Sequence, residues 1–353
     1  MNPATRNQIP LVSVAIPVYN GQDTVAQTLR SVLAQTHHKL EIIVVDDGST
    51  DGTWQILQSF GDSVRVIRQP NGGLAAARNS GVHAATGEFI ALLDADDLCE
   101  PERIACQVQF LTQHADVVLC CSDFSAFDAD GLVAPSYAAT YYSRCSATNG
   151  GAMARYPNRG SLDIENCLAS PPGHSVIVPT CFGPAYEELA LGNFVHPPTV
   201  MFRRTVLKEA GDFELGARTI CDWDWLVRVA RVGAIGYIDR SLLRYRLSAK
   251  QMSSNARTLT DSLHVAKRIC DRDAKLWKRQ PDRFRKLFGE LCADAASVQA
   301  DTHPIEALSL LTASVLRYRW VTLQTPRTLF KLFTPKALLG LLRGQRERKL
   351  RAL

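Results

Sequence analysis

Five short apolar runs, separated by amphipathic stretches, organise the first 125 residues. The runs 13–18, 41–45, 64–68, 89–93 and 117–121 are rich in Val and Ile and have the length of buried strands. Between them, 24–35, 54–60, 74–85 and 102–114 read as helices, and Pro101 suits the first turn of the last one. This alternation predicts an α/β fold, a mostly parallel twisted sheet with helices on both faces. Residues 126–192 lose the pattern. Gly, Pro, Ser, Tyr and Asn are frequent there, as in Asn149-Gly150-Gly151 and Ser170-Pro171-Pro172-Gly173, which predicts long loops with room for one short helix. Loops of that length inside a compact domain tend to be functional. A strand is expected at 199–204 and a helix at about 223–232. From Thr258 to Tyr318 the pattern is helical and amphipathic. No internal repeat is visible.

The densest chemistry closes the fourth run, where Glu88-Phe89-Ile90-Ala91-Leu92-Leu93 leads into Asp94-Ala95-Asp96-Asp97. Carboxylates crowded at the mouth of a buried strand are costly unless a positive charge sits among them. Residues two apart in an extended chain point the same way, so Asp94 and Asp96 can face one side with Ala95 turned away. That geometry suits a divalent cation that keeps several waters and takes other ligands from a diphosphate. The bland alternative is a solvated acidic turn.

Three further motifs lie upstream: Val14-Ala15-Ile16-Pro17-Val18-Tyr19-Asn20, Ile42-Ile43-Val44-Val45-Asp46-Asp47-Gly48-Ser49, and Asn71-Gly72-Gly73-Leu74-Ala75-Ala76-Ala77-Arg78. All four sit at predicted carboxyl ends of strands, where α/β sheets bind ligands. The glycines of the third motif permit close backbone approach, and the helix start offers N–H groups that favour anions. Read from the residues alone, Asp46-Asp47 could equally be a turn cap and Arg78 a solvated helix arginine.

In order and spacing the four motifs resemble the family 2 glycosyltransferases of GT-A fold, which transfer sugars from nucleotide diphosphates. The resemblance is strong over about 11–125, weaker over about 190–255 and absent at the C-terminal end. It implies a GT-A, Rossmann-like domain over 1–255, with a nucleotide-binding half at about 11–125 and an acceptor-binding half at about 126–255. A helical extension, 256–353, would follow. The resemblance further implies that Pro17, Tyr19 and Asn20 wrap the nucleotide base, Tyr19 stacking on the ring. Asp47 would read the base, with Asp46 as its structural neighbour. Asn71 and Arg78 would contact the donor, Asp94 and Ala95 would lie along the ribose or sugar, and Asp96 would be the direct ligand of Mn2+ or Mg2+. Asp97 would support the site or cap the following helix.

Cys221-Asp222-Trp223-Asp224-Trp225 is similar to the family's acidic segment, and by position Asp222 is the implied catalytic base. Cys221 stands where relatives usually carry Glu, so their acceptor contacts do not carry over. Residues two apart on a helix do not share a face, so Asp222 and Asp224 are expected to differ in role. The alternative makes Asp222 a helix N-cap and both tryptophans core. Tyr245-Arg246-Leu247-Ser248 resembles a Tyr-Arg-x-His segment near the diphosphate, with Ser248 in the histidine's place. Arg246 and Lys250 remain able to reach the diphosphate. His174 and His196 are left without a role.

The implied activity is an inverting, metal-dependent glycosyltransferase. It would move one sugar from a nucleotide-diphosphate sugar donor to a glycan or lipid-linked acceptor in cell-surface polysaccharide biosynthesis. The competing reading is a catalytically degenerate, nucleotide-binding scaffold of a glycan assembly complex. A sugar nucleotidyltransferase would open with a Gly-rich, lysine-bearing loop, which Pro17-Val18-Tyr19-Asn20-Gly21 lacks. A processive synthase would need membrane spans and Gln-x-x-Arg-Trp, whereas Leu316 precedes Arg319-Trp320.

Charge adds one feature. The chain has a net charge of +5, but from Arg317 onward basic residues face only Glu347. Leu329, Phe330, Leu332, Phe333, Leu338, Leu339, Leu341 and Leu342 lie among them, with Pro335 dividing the stretch. A basic amphipathic segment of this kind, 326–353, can meet an anionic membrane or dock on its own domain. The ten cysteines form no Cys-x-x-Cys pair, which argues against zinc and for a reducing, cytoplasmic compartment. The first residues are polar, so no signal peptide is expected, and no run reaches the length of a span. No nucleic-acid module is recognisable, so no nucleic-acid partner is expected.

Overall fold

Seven consecutive buried residues, Val12–Val18, form β1, around which the sheet is built. It pairs in parallel with β2 (Leu40–Asp46) on one side and, as the chain returns, with β4 (Phe89–Leu92) on the other. β3 (Arg65–Arg68) adds in parallel beyond β2. Strands covered on both faces need apolar residues at successive positions, which is why these runs read so clearly. The chain reverses its direction of growth between β1 and β4. The carboxyl ends of β1, β2 and β4 therefore border one crevice, where such sheets bind ligands. The structure is a computed structural model and describes residues 9–142, 152–216, 220–248 and 257–334.

The remaining strands are β5 (Leu98–Cys99), β6 (Val117–Asp128), β7 (Gly131–Ala134), β8 (Asn158–Asp163), β9 (Ile177–Gly183), β10 (Met201–Arg203) and β11 (Ala234–Arg246). The sheet order is β3-β2-β1-β4-β10-β6-β11-β9-β8, with β5 on β11 and β7 on β6. β10 runs antiparallel to both β4 and β6, so the sheet is mixed, with its β3-β2-β1-β4 half wholly parallel. The first four helices are α1 (Val25–Leu33), α2 (Thr53–Gln58), α3 (Leu74–Ala84) and α4 (Arg103–Gln113). α5 (Ala138–Tyr141), α6 (Tyr186–Ala190), α7 (Leu207–Ala210) and α8 (Cys221–Val232) follow.

The expectation of loops over 126–192 is corrected here: β7, β8 and β9 lie in that stretch, and β6 extends into it. β8 reads Asn-Arg-Gly-Ser-Leu-Asp and is mostly exposed, so it carries no apolar run. It is a strand because β9 offers a full antiparallel register from Asn158↔Phe182 to Asp163↔Ile177. Pairing decides the state where propensity is weak. β11 had no expected counterpart either. Asp239-Arg240 breaks its apolar pattern, and register shifts against β6 accommodate the break.

The chain divides into two compact units, Met1–Gln251 and Met252–Leu353. The second contains α9 (Arg257–Arg272), α10 (Ala274–Arg279), α11 (Pro281–Gln299), α12 (Pro304–Thr312) and α13 (Gln324–Phe333). Ala296, Ala300, Ala307 and Leu311 form a small buried cluster between α11 and α12. Trp320 packs so closely on Gly289 that no side chain could replace that glycine without displacing it. Trp320 thus serves as a packing residue of the helical unit. No helix of the described residues is long and apolar enough to cross a membrane. The described cysteines are free thiols and mostly buried, as small hydrophobes are.

Candidate active site

The first two motifs are bonded to each other. Asn20 adopts a left-handed φ of 52°, a conformation Asn tolerates better than most residues. Its backbone N–H donates to Ser49 Oγ at 2.9 Å, and its Oδ1 accepts from Thr50 N at 2.9 Å. Pro17 lies in β1 opposite Val45. Tyr19, at the end of that strand, leaves about half its surface exposed at the crevice rim. Asp46 turns inward: Oδ1 accepts from Ser49 N, and Oδ2 lies 3.2 Å from Arg68 Nε.

Asp47 holds the third motif. Oδ1 accepts from Gly72 N (2.9 Å) and Gln69 Nε2 (2.8 Å), and Oδ2 accepts from Gly73 N (2.8 Å). Two backbone donors at the start of α3 are therefore already met by the protein's own carboxylate. The expectation that they stand open to a ligand anion is corrected at Gly72 and Gly73. Asn71 is exposed on this turn. Gly48, at φ +76°, passes so close that a Cβ would meet Asn71 N at 2.9 Å.

Arg78 is a buried residue, which rules out the solvated helix arginine. One guanidinium nitrogen donates to Asp94 Oδ1 at 2.9 Å and another to Cys221 Sγ at 3.7 Å. Burial alone would disfavour its charge, but the carboxylates of Asp94 and Asp222 outweigh that and hold its pKa above the usual value. Cys221 is neutral, its thiol pushed up to about 11 by burial. Arg78 thus links the acidic turn after β4 to the first turn of α8.

The acidic turn is anchored from both sides. Thr24, just before α1, and Thr28 within it donate to the carbonyl of Ala95 at 2.9 and 3.0 Å, and Thr28 also reaches that of Asp97 at 2.8 Å. From β11, Arg246 Nε donates to the carbonyl of Asp96 (2.8 Å), and its backbone N–H donates to Asp97 Oδ1 (3.0 Å). Its guanidinium also reaches Gln27 Oε1 at 2.8 Å. Burial and the neighbouring Asp94 push Asp96 up to about 6. Burial, with Asp96 and Asp94 beside it, pushes Asp97 well above the carboxylate range, and its Oδ2 is buried without a hydrogen-bond partner. These hard oxygen donors and an orphaned buried carboxylate oxygen fit a divalent cation. Among the described residues no three His, Cys, Asp or Glu side chains converge on one point. A cation here would need further ligands from water or a diphosphate.

In α8 the two aspartates separate. Asp224 is fully buried and accepts from Arg228 Nε at 3.0 Å. Asp222 is half-buried and accepts from Asn193 Nδ2 at 2.9 Å through Oδ2. Burial pushes its carboxyl above the ordinary value, while Arg78 opposes the shift. The helix starts at Cys221 after Ile220, so Asp222 lies within the first turn and is not the N-cap. Trp223 and Trp225 are core, each donating to a backbone carbonyl.

Asn193 escaped the sequence reading, because its only signal is a partner 29 residues away. Thr24, Gln27, Thr28 and Gln69 were missed for the same reason. His196 is buried, stacked on Phe124 at 4.1 Å, and pushed down to about 3 by burial and the nearby Arg78 and Arg103. It is a neutral core imidazole. His174 and Ser248 are exposed. Lys250 and the segment beyond residue 334 lie outside the described residues.

Comparison with known proteins bears on the N-terminal part of this site. Residues 13–159 match the model for Glycosyl transferase family 2. An uncharacterized glycosyltransferase of Rickettsia typhi is 42% identical over 114 residues, 32% of this chain and 36% of that protein. A putative teichuronic acid biosynthesis glycosyltransferase of Bacillus subtilis, TuaG, is 40% identical over 113 residues, 31% of this chain and 45% of that protein. The chain thus matches less than half the length of either relative. Among solved structures, a mannosyltransferase from Pyrobaculum calidifontis, in complex with GDP-Man and Mn2+, superposes over 92% of this chain and 88% of its own. The TM-score is 0.54 at 18% identity, a likeness of fold. Residues 13–159 thus carry the likeness to glycosyl transferase family 2, and the fold is of the GT-A type.

Proposed function

We propose that this protein is an inverting glycosyltransferase. It moves one sugar from a nucleoside-diphosphate donor to a hydroxyl of a glycan or lipid-linked acceptor, in cell-surface polysaccharide biosynthesis at the cytoplasmic membrane face. The observation that carries this reading is Arg78, buried and touching Asp94 on one side and Cys221, next to Asp222, on the other. The carboxylates of the donor end and the base of the acceptor end thereby meet at one cation. The acceptor class rests on analogy with TuaG, whose name places it in teichuronic acid biosynthesis.

The residues divide the work as follows. Tyr19 stacks on the base at the crevice rim, and Asn20 fixes the turn that carries it. Asp47 reads the base with its remaining acceptor capacity while bracing the loop that bears Asn71. Arg78 holds Asp94 in the orientation that meets the ribose or sugar alongside Ala95. Arg246 fixes the acidic turn and adds positive charge near the diphosphate. Asp96, supported by Asp97, would hold the divalent cation seen with the Pyrobaculum enzyme. That cation, Mn2+ or Mg2+, would neutralise charge gathering on the departing diphosphate.

Asp222 acts as general base. Asn193 occupies Oδ2, which aims Oδ1 at the acceptor. As the acceptor oxygen bonds to the anomeric carbon, its proton passes to Asp222. The bond from that carbon to the diphosphate oxygen breaks, and the electron pair leaves with the diphosphate. One displacement inverts the configuration.

The test uses Asp222→Asn with a panel of sugar nucleotides. Transfer should vanish while nucleotide binding persists, read as a thermal shift. Ligand at a hundred times its dissociation constant adds about 2.7 kcal/mol of stability. Transfer that survives the substitution removes Asp222 as base. Nucleotide binding with no transfer by the unaltered protein, whatever the donor, would mark a scaffold instead.

A further inference from the structure

α13 faces the helical unit with its polar side. Thr325 and Thr328 are buried, at 4% and 2% exposure, and Leu332 is partly buried beside them. Phe330 and Phe333 point outward at 55% and 72% exposure, with Leu329 between the two faces. At 100° per residue, Leu329, Phe333, Pro326 and Phe330 form one continuous outward arc. Arg327 and Lys331 fall together on its flank; Lys331 pairs with Asp301 at 2.8 Å, which leaves Arg327 to meet the headgroups. An amphipathic helix that only needed to cover its own core would turn this arc inward. The stretch before it repeats the theme: Leu316, Val321 and Leu323 are exposed beside the exposed Arg317 and Arg319.

Charge selects the occupant. The sequence has no Asp or Glu from 307 to 346, while ten basic residues lie between 317 and 353 against one acid. Because the whole chain is only +5, residues 1–316 are net negative. A second copy would therefore set one strongly basic face against another if it docked face to face. An anionic lipid surface satisfies both features, taking the apolar arc into the interface and the basic flank against its headgroups. We propose that the outward face of α13 lies in the plane of an anionic membrane, with Phe330 and Phe333 inserted and Arg327 at headgroup level. This inference is independent of the catalytic reading and would hold for an inactive protein.

The experiment mixes the full chain with vesicles of phosphatidylcholine containing a minority of phosphatidylglycerol, and separately with phosphatidylcholine alone, and measures co-sedimentation. The protein should partition onto the anionic vesicles, and high salt should weaken it. Phe330→Ser with Phe333→Ser should reduce partition by about tenfold or more, with the melting temperature unchanged. Phe333→Trp provides a readout that does not depend on loss of binding, since its emission should be quenched by lipids brominated in the acyl chain. Absence of partition, or partition that survives the double substitution, overturns the proposal. So does a double variant that turns a dimer into a monomer while neither form meets vesicles.

Discussion

Asn193 donates from Nδ2 to Oδ2 of Asp222 across 2.9 Å, joining the loop before β10 to the first turn of α8. The contact stabilises the charged carboxylate, whose pKa burial otherwise raises. Removing the donor should push Asp222 further up. In Asn193→Ala the acidic limb of the pH–kcat profile should therefore move to higher pH, with kcat at neutral pH falling and nucleotide affinity unchanged. An unshifted limb would show that Asn193 does not act through Asp222.

Asp96 should destabilise the protein when no cation is bound. Its folded pKa of about 6 lies above the ordinary value of 3.8, so the folded state holds the proton more tightly than the unfolded chain. The stability this contributes is present below 3.8 and lost as pH rises through about 6. Asp96→Asn should raise the melting temperature of metal-free protein at pH 7.5, by at most about 3 kcal/mol of stability. The gain should fade towards pH 4. With Mn2+ and a nucleoside diphosphate added, the order should reverse. Equal melting curves at pH 7.5 would dispose of the shift.

Arg78→Gln removes a buried cation from between Asp94 and Cys221. Losing one partner of a fully buried pair costs about 3–5 kcal/mol, and Asp94 is partly exposed, so about 1–3 kcal/mol is expected in denaturant unfolding. Arg78→Lys should not restore donor affinity, because one ammonium cannot span both partners with a planar fork. Full rescue by lysine would mean that only the charge matters.

Tyr19 leaves about half its surface exposed. Tyr19→Ala should leave stability within about 0.5 kcal/mol. Nucleotide binding, measured by calorimetry, should weaken by about 1–3 kcal/mol, the range for a base stacked on an aromatic ring. Unchanged affinity would remove Tyr19 from the base site.

Much of this protein is written locally. The runs of β1, β2 and β4 are legible because strands covered on both faces must be apolar at every position. The turns that follow them are legible because Asp, Asn and Gly have strong local preferences. Asp94-Ala95-Asp96-Asp97 stood out for the same reason: its cost depends on the strand immediately before it. Other features depend on partners far along the chain, and only the tertiary structure decided those. Arg78 is a buried link between two distant segments because Asp94 and Cys221 close around it. Asp222 and Asp224 part company because Asn193 meets one and Arg228 the other. β8 is a strand because β9 pairs with it. In α13 the sequence shows two unlike faces, but periodicity does not say which turns inward. That is set by what the neighbouring helices leave to be filled, and there Thr325 and Thr328 fit while Phe330 and Phe333 remain outside.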